Sequence, residues 1–558
     1  ALLRIPRGTR IDLYAEAEPP AFLDLARAEA DGAGVSPVRV RVEGDREGLL
    51  WDDVLDAAPA RRVPLPLQER DVVRIRLDAT EANGPAGGGE AAELQLVLAA
   101  RRANAAGLVV GPRPPTPAPV AVEAAARPNV LIYLVDCLRA DHLGVYGYHR
   151  PTSPRIDAFA AGATLFLDAQ AASSWTRPTV ASIFTGLMPG EHGVQAPEDA
   201  LAHEVDTLAE QLRAAGYQTA GIFTNGNVAQ QFGMGQGFDT YLHLEEELSR
   251  PTHHVGADEL GARAREWLDG RDPERPFLLY LHATDPHGPY VPPAPFSSRF
   301  APGVDDPRLR TLEFLEDLSQ ARVPDPAQYR KPLIDLYDAE VAFTDEHFGR
   351  LLDDLAERRL LDGTVVVLVA DHGEEFFDHG WWEHGKTLFV EQLHVPLVIR
   401  FPGGAGAGAR VESPVHQVDL LPTLLAAAGV RPRGPVAGID LAALAADAGS
   451  GALDRRFRAE LVRDGRRIHA LFADRWKLIL QLSGGSDPAG RTPRSMLFDR
   501  REDLREQDNL YLRRPVLAGL FQLQLEAALA AVTLVAAPAP AQIDEEMEAN
   551  LRALGYLR

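Results

Sequence analysis

Residues 1 to 110 alternate apolar and polar side chains in short runs, as in Val38-Arg39-Val40-Arg41-Val42 and Val72-Val73-Arg74-Ile75-Arg76-Leu77, with Gly, Asp and Pro between them. A period of two is that of a strand with one buried face, so a small β-sandwich is expected, serving as a structural cap or a glycan-positioning module. The next segment, 111–126, carries Gly111-Pro112-Arg113-Pro114-Pro115-Thr116-Pro117-Ala118-Pro119. Proline disfavours both helix and ladder, which predicts a stiff linker. From 127 to 436 the pattern changes. Val130-Leu131-Ile132-Tyr133-Leu134-Val135 and Val365-Val366-Val367-Leu368-Val369 are unbroken apolar runs, as in strands covered on both faces, with two more strands near 277–281 and 397–399. Helical spacing occupies 205–215, 257–268, 332–355 and 420–428, so this region reads as an α/β body: a mostly parallel sheet flanked by helices. Residues 437–558 return to alternation over 468–481, then a Gly/Ser/Pro loop and a long helix, predicting a small antiparallel α+β subdomain with a helical tail.

Composition narrows the partners. With 558 residues the chain has room for more than one domain, and its net charge of -23 opposes nucleic acid and anionic membrane surfaces. An anionic substrate would have to meet a local cationic pocket. The single cysteine, Cys137, excludes an internal disulfide. No apolar run reaches the roughly 18 residues of a spanning helix, and the longest, 516–537, is interrupted by Gln522, Gln524 and Glu526, so no membrane span is expected. The first residue is Ala1, which is compatible with a leader already removed.

Two of the predicted strands end in aspartate, at Asp136 and at Asp371-His372. In open α/β sheets ligands bind outside the carboxyl ends of the strands, so these side chains are candidate metal ligands. Each is equally compatible with a turn or helix cap. Gly373 would supply the tight turn behind them. A third element, Ser173-Ser174-Trp175-Thr176-Arg177-Pro178-Thr179-Val180-Ala181-Ser182-Ile183-Phe184-Thr185-Gly186, is a polar loop entering a short helix with Pro178 in its first turn. Thr176 sits where helix amides favour an oxyanion, as an N-cap, a nucleophile or both.

Read together, Asn129 to Asp136, Leu138-Arg139-Ala140-Asp141-His142-Leu143-Gly144-Val145-Tyr146-Gly147-Tyr148 and Pro178 to Gly186 resemble the sulfatases of the alkaline phosphatase superfamily. In the same order follow Gly237-Phe238-Asp239, Asp285-Pro286-His287-Gly288-Pro289-Tyr290, Asp371-His372-Gly373-Glu374, His384-Gly385-Lys386 and Pro396-Leu397-Val398-Ile399, then Arg475-Trp476-Lys477, Leu497-Phe498-Asp499 and Asp508-Asn509-Leu510. The closing Leu551-Arg552-Ala553-Leu554-Gly555-Tyr556 also resembles a tail of bacterial relatives. The resemblance, over roughly residues 127–515, implies an alkaline-phosphatase-like α/β fold and a metal-dependent hydrolase in the periplasm or secreted. It also implies metal ligands Asp136, Asp371, His372 and Thr176, and substrate contacts or proton donors at His287, His384 and Lys386. Arg139 and Asn225 are further candidates for shaping the pocket, equally compatible with ion-pair or loop structure.

Two departures from that family's pattern alter the chemistry. Where sulfatases place a Cys or Ser that is oxidised to formylglycine, this chain has Thr176, which cannot become that aldehyde; where they place an Arg it has Val180. A threonine ester must be released by a second attack at the central atom, which favours phosphorus over sulfur. A phosphodiester or phosphonate is therefore expected as substrate, with sulfate less favoured and no formylglycine. Cys137 replaces a second ligand aspartate and is expected to be a buried small hydrophobe. The reduced set, with an imidazole, suits one zinc or manganese ion better than calcium, though calcium is compatible. A variant places a second metal on Asp285, His287 and His384. Lys386 draws separate support from composition: Lys331, Lys386 and Lys477 are the only three lysines among 57 basic residues.

The substrate would be a small-molecule, lipid or glycan ester. A phosphoethanolamine or phosphoglycerol transferase is the alternative activity, disfavoured because such enzymes are tethered by membrane helices. A non-catalytic binding protein on the same scaffold is a third reading, disfavoured by the full ligand set. Selectivity is assigned to the loops between 249 and 330.

Overall fold

A computed structural model of the chain describes residues 2–5, 10–17, 21–27, 38–45, 48–55, 61–65, 71–78, 92–99, 127–247, 255–446, 455–484 and 492–541. The Pro-rich segment within 111–126 and the closing Leu551 to Tyr556 lie outside them. The chain forms two compact units, one of residues 1–115 with 496–498 and 508–531, the other of 116–495 with 499–507 and 532–558.

Among the described residues of the first unit, eight strands pair into two four-stranded antiparallel sheets. The predicted period of two is seen along Val38–Gly44, where Val40 and Val42 are buried while Arg39 and Arg41 flank Asp52 on the neighbouring strand, at 2.8 and 3.0 Å. The helix Pro515–Ala530 belongs to this unit, although the sequence pattern grouped it with 437–558. Asp45 explains the difference: its buried carboxylate accepts from the N–H groups of Val516 and Leu517 at 2.7 and 2.9 Å, satisfying the helix's first amides from a loop far away in sequence.

The second unit is built on a nine-stranded sheet. Its central path runs Thr240–His243, Gln218–Phe223, Phe277–Ala283, Asn129–Val135, Thr364–Ala370, His394–Arg400 and Thr164–Gln170. The first five are parallel; His394–Arg400 runs against both its neighbours. Every residue of Phe277–Ala283 and Thr364–Ala370 is buried, as the continuous apolar runs require of strands covered on both faces. Around the sheet, helices Ala257–Gly270, Ala294–Phe300 and Pro154–Ala161 pack on the long helix Arg330–Glu357, and Leu208–Ala214 and Leu420–Ala427 pack on Thr176–Thr185. The antiparallel strands Arg456–Arg463, Arg466–Ala473 and Trp476–Ser483 follow in chain order. Among the described residues no helix is long and apolar enough to cross a membrane.

Register places the site. Val135 lies opposite both Ala283 and Ala370, so Asp136 and Asp371 leave adjacent strands at the same level. Phe223 lies opposite His282, and Asn225 follows two residues beyond. All of these fall at the carboxyl ends of parallel strands, the edge where such sheets bind ligands.

Candidate active site

The turn after the first strand is held open by an unusual backbone. Cys137 has φ 55°, a left-handed conformation uncommon for a side-chain-bearing residue. Tyr337, on the long helix, fastens it: its hydroxyl donates to Cys137 O at 2.8 Å and accepts from Arg139 N at 2.9 Å. The following motif anchors the same loop. His142 Nδ1, the Tyr148 hydroxyl and Arg150 Nη1 converge on the buried Asp338 at 2.7, 2.7 and 2.5 Å. Gln417 braces the opposite wall, donating to Ala370 O and Asp371 O at 2.7 Å each while accepting from Ala172 N at 2.9 Å. One side chain thus ties the Asp371 strand end to the loop that leads to Thr176.

Gly373 was expected for a tight turn, but its φ is not left-handed. The requirement is proximity instead: a Cβ there would stand 2.1 Å from Glu391 O, and Gly373 N donates to Gln392 O at 2.9 Å. Thr176 also differs from the capping alternative. Trp175 is the cap residue, with no side-chain capping bond, and Thr176 is the first residue of the helix Thr176–Thr185.

Asp136, Asp371, His372 and Thr176 meet in a buried cluster. Asp136 Oδ2 accepts from Asn225 Nδ2 and from His282 Nε2, the latter at 3.2 Å. Asp371 Oδ1 accepts from Cys137 N at 3.2 Å and His372 N at 2.8 Å. The other oxygen of each carboxylate, Asp136 Oδ1 and Asp371 Oδ2, is buried without a hydrogen-bond partner. His372 Nδ1 donates to Gly373 O at 2.9 Å, which leaves Nε2 as a lone pair. That nitrogen lies 3.3 Å from Asp371 Oδ2, 3.8 Å from Asp136 Oδ1 and 3.3 Å from Thr176 Oγ1. Buried oxygens with no proton to accept are costly unless a cation joins them, so this donor set fits a divalent ion. Burial alone would raise the Asp136 pKa, but the His282 hydrogen bond and the fields of His287, His282 and His372 hold it well below the carboxylate range. Burial and then the Asp136 charge push Asp371 up. Two close carboxylates that cannot both ionise comfortably are again what a cation relieves.

Beside this cluster opens a pocket lined by His287, Gly288, Leu312, Glu316, Ser319, Gln320, Glu374, Glu383, His384, Lys386, Arg463 and Asp464. The His372 and His384 rings lie 4.5 Å apart and those of His287 and His384 4.9 Å, so the pocket is continuous with the metal-type ligands. His384 Nδ1 donates to Glu374 at 3.1 Å, and burial, then the fields of His372 and His287, keep its pKa well below the usual histidine value. Glu374 is pushed up to about 7, chiefly by burial. Lys386 Nζ donates to Trp382 O at 2.8 Å, to Glu383 at 3.1 Å and to Ser319 Oγ.

Two expected pocket residues have other duties. Arg139 donates to Asp141 at 2.9 and 2.8 Å, to Asp378 at 2.9 Å and to Glu374 O at 3.0 Å, a buried ion-pair centre outside the pocket lining. Asn225 acts on Asp136, while its Oδ1 accepts from Asn227 N at 2.8 Å. Asp285, proposed for a second metal, instead caps helix Ala257–Gly270 by accepting from Ala257 N at 2.9 Å. Ligand-type atoms of Cys137, rather than Asp285, cluster with those of His287 and His384. Cys137 itself is buried, as expected, and burial raises its thiol pKa well above the ordinary value. Residues that sequence reasoning missed are His282, Gln417, Glu374 and Arg463. Two of them carried a signal: His282 stands one residue beyond a predicted strand, and Glu374 closes the Asp371-His372-Gly373-Glu374 motif.

The sulfatase family model matches residues 128–430, and a model described as N-sulphoglucosamine sulphohydrolase, C-terminal, matches 377–532. An uncharacterized sulfatase, YidJ, of Escherichia coli K12 is 26% identical over 429 residues, covering 69% of this chain and 83% of its own. An N-acetylglucosamine-6-O-sulfatase of Bacteroides thetaiotaomicron is 25% identical over 401 residues, covering 57% of this chain and 71% of its own. Among solved structures, the phosphonate monoester hydrolase of Agrobacterium radiobacter superposes with a TM-score of 0.58 at 21% identity, over 72% of this chain and 96% of that one. With the strand-end ligand cluster in place and more than half of the chain matched by the family model, this protein belongs to the sulfatase family of metal-dependent ester hydrolases in the alkaline phosphatase superfamily.

Proposed function

We propose that this chain hydrolyses a phosphodiester or a phosphonate monoester, with the Thr176 hydroxyl as nucleophile. The observation that carries the reading is Thr176 Oγ1 at the first residue of a helix, 3.3 Å from His372 Nε2, a nitrogen that itself lies 3.8 and 3.3 Å from the bare oxygens of Asp136 and Asp371. A threonine hydroxyl cannot be matured to an aldehyde, so the group it accepts leaves only through a second displacement at the central atom, which phosphorus tolerates well.

Asp136, Asp371, His372 and Thr176 would hold one transition-metal ion, zinc or manganese, and such an ion, when bound, makes the hydroxyl more acidic and polarises a phosphoryl oxygen. The chain's own groups do the rest. Thr176 releases its hydroxyl proton to solvent, its Oγ1 attacks phosphorus in line and the bond to the leaving oxygen breaks; in the second step water attacks phosphorus, the Thr176 Oγ1–phosphorus bond breaks and Oγ1 takes up a proton again. His287, whose ring lies 4.9 Å from that of His384 in the pocket, is the proposed proton donor to the leaving oxygen, and His384, its pKa lowered chiefly by burial, is the proposed acceptor of a proton from the attacking water in the second step. Lys386 and Arg463, both lining the pocket, supply positive charge for an anionic ester in a chain that is otherwise strongly acidic. Functioning outside the cytoplasm and needing no maturation enzyme belong to the same reading.

A sulfate ester is the second reading, favoured by the N-acetylglucosamine-6-O-sulfatase relative. The test is a panel of nitrophenyl phosphodiester, phenylphosphonate and sulfate esters, run on protein loaded with zinc, manganese or calcium. The proposal expects the two phosphorus esters to turn over at least about a hundredfold faster than the sulfate. Faster sulfate hydrolysis overturns it, and release that requires an added alcohol acceptor turns it into a transferase.

A further inference from the structure

Resting on the metal-site reading above, we infer that His282 is a positioning residue which, with Tyr280 behind it, orients Asp136 for its cation. Both aspartates divide their oxygens in the same way, one saturated by two donors and the other left bare. For Asp371 the donors are backbone amides, which the turn itself supplies. For Asp136 they are side chains, Asn225 from the loop after strand Gln218–Phe223 and His282 from the adjacent strand Phe277–Ala283, so the geometry of this ligand depends on residues that the local turn does not dictate.

His282 is fully buried, and each ring nitrogen has a partner. The Tyr280 hydroxyl lies 2.8 Å from Nδ1, and Nε2 lies 3.2 Å from Asp136 Oδ2. A carboxylate offers no proton, so Nε2 carries the hydrogen and Nδ1 accepts from the tyrosine. The Tyr280 hydroxyl therefore selects the one neutral tautomer that can donate to Asp136. Tyr280 and His282 lie two apart on a strand, side by side on one face, and the register puts His282 opposite Leu134, two residues before Asp136. Donation to Oδ2 prevents the carboxylate from rotating, so Oδ1 stays turned toward His372 Nε2, at 3.8 Å. Partners behind a ligand commonly change metal affinity by about 10- to 100-fold when removed.

The experiment measures metal affinity, without substrate, by titrating metal-stripped full-length protein with zinc and with manganese in a calorimeter. Circular dichroism of the metal-stripped forms establishes folding. His282→Ala is expected to weaken binding about 10- to 100-fold. His282→Gln, whose amide can still donate to Oδ2, should stay within about fivefold of wild type, and Tyr280→Phe should fall between. A folded His282→Ala with metal affinity within twofold of wild type overturns the inference, as does a Gln variant as weak as the Ala variant. If His282→Ala does not fold, Tyr280→Phe decides: affinity within twofold of wild type overturns, and a several-fold loss supports. A wild-type protein that binds no metal would sink the metal site itself. Wild-type binding that depends on His282, together with inert phosphorus esters, would sink only the proposed substrate.

Discussion

Replacing Thr176 separates nucleophile from scaffold. The side chain is fully buried, and its hydroxyl is 3.3 Å from His372 Nε2. Thr176→Ser deletes one buried methyl and keeps the oxygen, which should cost about 1 kcal/mol of stability and change kcat by less than about tenfold. Thr176→Ala removes the oxygen as well. The attack then falls to an untethered water, which forfeits the effective molarity of a held hydroxyl, worth about 7 kcal/mol at the lower end of measured values. Allowing for residual catalysis by the bound cation and the pocket, kcat should fall by about 10⁴, or about 5 kcal/mol at 1.36 kcal/mol per decade. The assay is release of nitrophenolate from a nitrophenyl phosphodiester by equally metal-loaded proteins. Mass analysis of acid-quenched wild type should reveal a phosphoryl ester on the peptide containing Thr176. Thr176→Ala turning over within tenfold of wild type, at matched metal content, refutes the nucleophile assignment.

Gly373→Ala should disrupt the site, because its Cβ would sit 2.1 Å from a backbone oxygen, Glu391 O; calorimetry should find metal affinity lowered at least about tenfold, and wild-type affinity would contradict the close approach. Lys477 is fully buried and bridges both oxygens of Glu506 at 2.8 Å, so Lys477→Met strands a buried carboxylate and should cost about 3–5 kcal/mol in urea unfolding, partly recovered by adding Glu506→Gln. A loss under about 1 kcal/mol would show the pair to be dispensable. His379 sets a pH limit. Burial alone would lower its pKa, but the hydrogen bond to Glu391, 2.8 Å long, and that residue's charge raise it from 6.5 to about 9. Its stabilisation is therefore fully present below pH 6.5 and lost as pH rises through about 9, by up to about 3 kcal/mol at 1.36 kcal/mol per pH unit. Urea midpoints between pH 6 and pH 10 should decline less steeply for His379→Gln, and parallel declines would rule the histidine out.

Local pattern alone carried the kind of fold and pointed to candidate ligands at the strand ends. Unbroken apolar runs at 130–135 and 365–369 read as strands covered on both faces, and an aspartate at the end of each pointed to one crevice. Those signals are local, carried by periodicity and by a residue's place in its own element. Strand neighbours are set by long-range register, which no local pattern contains. Packing between distant segments put His282 against Asp136, made Gln417 a brace between two loops, and drew Arg463 from the C-terminal strands into the pocket wall. It also withdrew Arg139 into an ion-pair centre and gave Asp285 to a helix cap, because a charged side chain in a buried setting is claimed by whichever partner the packing brings within reach.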